Sequence, residues 1–232
     1  MLERQLNSYM QVKICGNVLK QDIELLYEFK DQVTYIGFIF TPISKRYVTA
    51  QLVGEWLDSY PFLKDKAVGV FLNQELEEVI NTVKLTGIKQ VQLHGDESPE
   101  YCSAVKKLTG STVWKVIPIH ASQISDYTPY LPIIDTLLLD TKVNGQAGGT
   151  GTTFDWSLIP KVYERVRKKG IPLWVAGGIN PTNIVELMKT YPLSGVDVSS
   201  GVEGEQGKDK AKIRDLLRGV ESNEATCKRK AT

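Results

Sequence analysis

The stretch Met10-Gln11-Val12-Lys13-Ile14-Cys15-Gly16 opens as an apolar, strand-like run and closes on cysteine and glycine. From about residue 19 to 30 the apolar spacing turns helical. The order is strand, tight turn, helix, and the chain repeats it. Residues 34–40 are aromatic and β-branched, hence a second strand, and 48–60 read as its helix, stopped by Pro61. Strands over 67–72 and 90–94 are each followed by a helix. The second of these opens on Ser98-Pro99-Glu100, a good cap with proline at the first helical position. A fifth strand over 112–117 leads into a weak, only partly helical segment, 121–130. Further strands are expected over 133–140, 172–176 and 196–198, with helices over 156–168, 182–189 and 208–218.

Eight strand–helix units without a composition break point to an α/β protein with a parallel sheet, and the count favours a single closed (β/α)8 TIM barrel. An open doubly wound sheet is the alternative. The barrel domain is expected over 1–220, with a polar, disordered tail over 221–232. A content of 42% hydrophobic and 24% charged residues suits a globular protein with a sizeable core. The net charge of +1, with basic residues spread along the chain, argues against nucleic acid or an anionic membrane as partner. Three cysteines, Cys15, Cys102 and Cys227, stand at unrelated spacings, and with His94 and His120 they make no metal signature. No signal-peptide or membrane-spanning run is present, so a reduced, cytoplasmic location is expected.

In such barrels the chemistry sits at the C-terminal strand ends, and phosphate is commonly held by the loops after strands seven and eight. Those ends carry Ala176-Gly177-Gly178 and Ser199-Ser200-Gly201. Glycines admit an oxyanion close to backbone N–H groups, and the serine hydroxyls add donors. The ligand class is therefore a phosphorylated small molecule. Strand six ends in Asp140 and strand one in Cys15, so in a closed ring a carboxyl and a thiol flank the phosphate loops. Read locally, Cys15 is a small inert core residue and Asp140 a loop cap; read around the ring, they are an acid and a base. A thiol base needs a nearby positive potential, since free cysteine titrates near 8.5. Alternation places Lys13 on the same face to supply it. Arg46, in Ser44-Lys45-Arg46, suits two-point binding of a carboxylate. Gln92 and His94 share one face and are possible pocket-lining residues. The loop 144–151 is neither a Walker A motif nor a Rossmann fingerprint and is expected to act as a lid.

Nine segments in order carry a resemblance: Lys13-Ile14-Cys15-Gly16, Gly37-Phe38-Ile39-Phe40, Ser44-Lys45-Arg46, Gln92-Leu93-His94-Gly95, Leu139-Asp140-Thr141, Gly148-Gly149-Thr150-Gly151, Phe154-Asp155-Trp156, Ala176-Gly177-Gly178 and Asp197-Val198-Ser199-Ser200-Gly201. From about residue 11 to 218 the chain resembles phosphoribosylanthranilate isomerase, a tryptophan-biosynthesis enzyme. The resemblance implies an Amadori rearrangement of N-(5'-phosphoribosyl)anthranilate to 1-(2-carboxyphenylamino)-1-deoxyribulose 5-phosphate. It implies Asp140 as the acid that opens the ribose ring and Cys15 as the base that takes the C2' proton. Arg46 would hold the anthranilate carboxylate, with Asp197 also substrate-binding, and Gly177, Gly178, Ser199, Ser200 and Gly201 would hold the phosphate. No metal or cofactor is implied, because the iminium is itself the electron sink; the chain would be a monomer or a homodimer. One departure is Asn17-Val18, where the family usually has an apolar residue and then Thr or Arg. A flavin-dependent oxidoreductase and a non-catalytic phospho-ligand binder are the rival classes.

Overall fold

The computed structural model describes the backbone of residues 10–120, 123–143, 146–147 and 155–230, and the side chains of 10–119, 123–141 and 155–222. All eight expected strands are present: β1 (Gln11–Cys15), β2 (Tyr35–Ile39), β3 (Ala67–Phe71), β4 (Gln90–Leu93), β5 (Thr112–His120), β6 (Thr136–Val143), β7 (Leu173–Val175) and β8 (Gly195–Val198). Each pairs in parallel with the next, and β8 returns to pair with β1. The ring is closed, which removes the doubly wound alternative. Closure also fixes a register that matters below: Lys13 stands opposite Asp197, and Cys15 opposite Gly37.

Outside the ring lie α1 (Lys20–Glu28), α2 (Ala50–Ser59), α3 (Leu76–Thr86), α4 (Pro99–Thr109), α5 (Ile159–Arg167), α6 (Ile184–Thr190) and α7 (Lys210–Lys230). Their ends follow local chemistry. Thr49 and Ser98 cap α2 and α4 by accepting from the N–H groups of Leu52 and Tyr101. Gly87 and Gly110 end α3 and α4 at φ +69°, a conformation that other residues adopt at a cost. Helical spacing buries Ile159, Val162 and Val166 on α5, and Ile213, Leu216, Leu217 and Val220 on α7, against the barrel's outer face.

Two stretches depart from expectation. Within 121–130 the described residues form no α-helix: Gln123–Ile124 folds back antiparallel on the end of β5, and only a 3-10 turn, Thr128–Tyr130, follows. Ser, Asp and Thr are weak helix formers, and Pro129 and Pro132 bar a longer one. The last helix, expected to end near residue 218, runs on through the polar segment to Lys230. No glycine or proline lies between Val220 and Lys230 to stop it. Among the described residues no helix is long and apolar enough to cross a membrane.

Candidate active site

The C-terminal mouth of the barrel opens into a cavity of about 670 Å³. Its wall includes Cys15, Arg46, Gln92, His94, Asp140, Thr141, Gly177, Gly178, Asp197, Ser199 and Ser200. Ten of the twelve site residues named from the sequence therefore meet on one surface. The other two lie just behind it. Lys13 is wholly buried, and Gly201 packs against the carbonyl of Ile179 so closely that a side chain would collide with it. That contact fastens the loop after β8 to the loop after β7, the two that carry the Gly-Gly and Ser-Ser-Gly motifs.

On the β1 flank, Lys13 Nζ donates to Asp197 Oδ2 at 2.7 Å, both groups inside the barrel. The bare Cα of Gly37 makes room for this arrangement, since a Cβ there would stand 2.6 Å from Cys15 Sγ and 3.0 Å from Lys13 Nζ. The expected support of Cys15 by Lys13 is present but overridden. Burial pushes the thiol up; Lys13 and, more weakly, Lys208 pull it down; the Asp197 charge pushes it up again, and the net direction is upward. Burial likewise opposes charge on Lys13, but the Asp197 carboxylate and Cys15 outweigh it, so the ammonium is held above its ordinary value. Lys13 is thus a permanent cation whose charge is shared between carboxylate and thiol.

On the β6 flank, Asp140 is nearly buried and held by both oxygens. Oδ1 accepts from the Thr141 backbone N–H at 2.7 Å, and Oδ2 lies 3.1 Å from His94 Nε2. Gln92 Nε2 approaches His94 Nδ1 at 3.5 Å, which favours the ring tautomer protonated on Nε2, the nitrogen that faces Asp140. Gln92 and His94 thus line the pocket with His94 directly beside the carboxyl. The left-handed Gly177, at φ +86°, has no Cβ to strike Asp140 Oδ1, and this lets the β7 loop close over that carboxyl.

A family model for N-(5'-phosphoribosyl)anthranilate isomerase matches residues 12–218. The chain belongs to the phosphoribosylanthranilate isomerase family. It is 38% identical over 216 residues to the N-(5'-phosphoribosyl)anthranilate isomerase of Brevibacillus brevis, covering 92% of this chain and 95% of that one. The crystal structure of the Thermotoga maritima phosphoribosyl anthranilate isomerase superposes with a TM-score of 0.76 at 30% identity, covering 92% and 99% of the two chains. A further phosphoribosyl anthranilate isomerase, crystallised in complex with reduced 1-(o-carboxyphenylamino)-1-deoxyribulose 5-phosphate, gives a TM-score of 0.74 at 29% identity with the same coverage.

For a phosphoribosylanthranilate isomerase, the Asn17-Val18 departure is built in rather than tolerated. Asn17 is fully buried, and its Nδ2 donates to the carbonyls of Ile14 and Gly37, tying the turn after Cys15 to β1 and to the neighbouring β2. Three residues beside the site were not singled out from the sequence. Glu203 grips Arg46, Lys208 donates to the Cys15 carbonyl at 2.6 Å, and buried Lys115 pairs with Glu97 at 2.7 Å. Glu97 in turn accepts from the N–H groups of Asn73 and Gly95, fixing the loop that carries His94. A Glu and a Lys in the Gly-punctuated run Glu203-Gly204-Glu205-Gln206-Gly207-Lys208, just beyond a phosphate motif, were the available hint for two of them. Cys102 is buried in α4, its thiol pushed up to about 11 by burial. The side chains of His120 and Cys227, and the expected lid 144–151 apart from the backbone of Gln146–Ala147, lie outside the described residues.

Proposed function

We propose that this chain converts N-(5'-phosphoribosyl)anthranilate to 1-(2-carboxyphenylamino)-1-deoxyribulose 5-phosphate, the reaction of its family in tryptophan biosynthesis, and that Asp140 and Cys15 are the acid and the base. One observation carries the assignment: the two groups open onto the same cavity from opposite sides of the β7 and β8 loops.

The phosphate docks on the backbone of Gly177, Gly178 and Gly201 and on the hydroxyls of Ser199 and Ser200, because bare glycine backbone admits an oxyanion close to its N–H groups. The carboxylate of the anthranilate ring docks on Arg46, whose planar fork suits two-point binding. These two anions fix the ends of the substrate, and the ribose lies across the mouth between Asp140 and Cys15. Asp140 protonates the ring oxygen; the C1'–O bond breaks and the nitrogen lone pair closes an iminium. Cys15 then takes the C2' proton, the C–H electrons move into the iminium, and the resulting enolamine tautomerises to the ketone. Asp197 holds Lys13 beneath the thiol, so that the thiolate forms beside a cation. Burial and the Asp197 charge oppose the thiolate while Lys13 favours it, and Cys15 takes the C2' proton as thiolate and returns it as thiol.

The test is the loss of phosphoribosylanthranilate fluorescence with purified protein. Turnover that vanishes in Asp140→Asn and Cys15→Ser supports the assignment. A near-normal rate in either variant sinks the role of that residue, and no turnover by the unaltered chain sinks the activity.

A further inference from the structure

Arg46 reaches the cavity wall with one side of its fork already engaged. Its Nε donates to Glu203 Oε1 at 2.6 Å and its Nη2 to Glu203 Oε2 at 2.8 Å, a side-on bidentate pair. A guanidinium has five N–H donors, one on Nε and two on each Nη. The side-on pair uses two of them and leaves the end-on edge, with one N–H from each Nη, for a second carboxylate. Glu203 is not part of the cavity wall, whereas Arg46 is.

The stem of Arg46 is fixed as well. It crosses Gly16, whose bare Cα at φ +74° leaves no side chain in its way. The Glu203 carboxylate has two further partners among the described residues: Lys208 Nζ at 3.0 Å and Ser199 Oγ at 3.3 Å. Lys208 also donates to the carbonyls of Cys15 and Ser199. One carboxylate thus fastens the arginine from the β2 loop to the β8 loop and to the strand end that carries the thiol. The cluster of Arg46, Lys208 and Glu203 keeps one net positive charge, so a second anion remains favourable.

We propose that Glu203 is a positioning residue for the carboxylate grip, holding Arg46 side-on so that its end-on edge meets the carboxylate of the substrate. The proposal rests on the reading of Arg46 given above. An arginine left to its own rotamers must be ordered on binding, and that ordering weakens affinity; a fork held in advance avoids the loss.

The experiment is a double-mutant cycle on the full chain, with initial rates on N-(5'-phosphoribosyl)anthranilate and thermal unfolding of each variant. Glu203→Gln is expected to raise KM about tenfold with a far smaller change in kcat, because it removes ground-state positioning and not chemistry. Arg46→Ala is expected to raise KM further, and adding Glu203→Gln to it should change nothing more. Glu203→Asp, which keeps the charge but withdraws it by one methylene, should fall between wild type and Glu203→Gln; if Glu203→Gln fails to fold, it replaces that variant in the cycle. An unchanged KM in Glu203→Gln overturns the proposal while leaving the Arg46 reading intact. A lowered KM overturns it too, since Glu203 would then be competing with substrate. A Glu203→Gln effect that persists in full without Arg46 would mean action through Ser199 or Lys208, and also overturns it. An unchanged KM in Arg46→Ala alone removes the reading on which the proposal stands.

Discussion

The two halves of the barrel interior are built from the same strands and do opposite work. At the lower end, Tyr35, Trp114 and Trp174 pack ring against ring with centroids 4.8–5.7 Å apart, and the Trp174 ring fills the space left by Gly195. Two residues further along stand Gly37 on β2, Val116 on β5, Ala176 just past the end of β7 and Asp197 on β8. Successive inward positions on a strand are two residues apart, so a single step changes an aromatic plug into the floor of a polar pocket. The plug is dispersion and apolar burial; the pocket and its floor bury Lys13, Asp140 and Asp197, charges that need partners. A small shift in the plug costs stability. A small shift in the pocket, on the proposed reading, moves a proton donor or acceptor away from its target.

The sharpest break of this contrast is chemical. Asp140→Asn and Cys15→Ser should each lower kcat by roughly 10³-fold with the unfolding midpoint little changed, since a positioned acid or base is worth about 10²–10⁴ in rate. A parallel collapse of stability would mean the upper half is structural as well. Trp174→Ala is the converse: a loss of about 3–5 kcal/mol in urea unfolding, with kcat per folded molecule nearly preserved. If the rate fell with little loss of stability, the plug would be part of the site. Gly37→Ala tests the boundary. Its new Cβ would crowd Cys15 Sγ and Lys13 Nζ, and a misplacement near 1 Å can cost about 10²-fold in rate. Wild-type turnover in that variant would show that the thiol has room to spare.

Two smaller effects depend on pH. Cys15 is held above the ordinary range of a thiol by burial and Asp197 against Lys13, so its alkylation by iodoacetamide should still be accelerating when pH passes about 9. A plateau below that pH would reverse the assigned direction. Burial pushes Glu203 up, but the Arg46 hydrogen bonds and Lys208 hold it at about 2 against an ordinary 4.5. Because the folded value lies below the unfolded one, its stabilisation is complete above pH 4.5 and is lost as pH falls towards 2. Glu203→Gln should flatten that part of an acid-unfolding profile, and an unchanged profile would mean that the pair contributes little to stability.

Much of this was legible in the chain. Alternation put Lys13 and Cys15 on one face, and strand count and order put Asp140 and Cys15 on either side of the β7 and β8 loops. The weak spot at 121–130 was visible as weak. Other features were not legible, for a common reason. Arg46 and Glu203 lie 157 residues apart, and Lys13 and Asp197 lie 184 apart. No periodicity within a window of a dozen residues reports such pairs.

The sequence by itself determined the strand–helix alternation, the strand-end residues and the family, because these depend on local spacing and on short motifs. Only the closed ring decided which charges neighbour one another. Closure made Asp197 the partner of Lys13, so that the lysine is shared between carboxylate and thiol. It also set Glu203 against Arg46, so that the fork is held before any ligand arrives. In a low-dielectric interior the value of a charge depends on its nearest partner, and that partner is fixed by the fold.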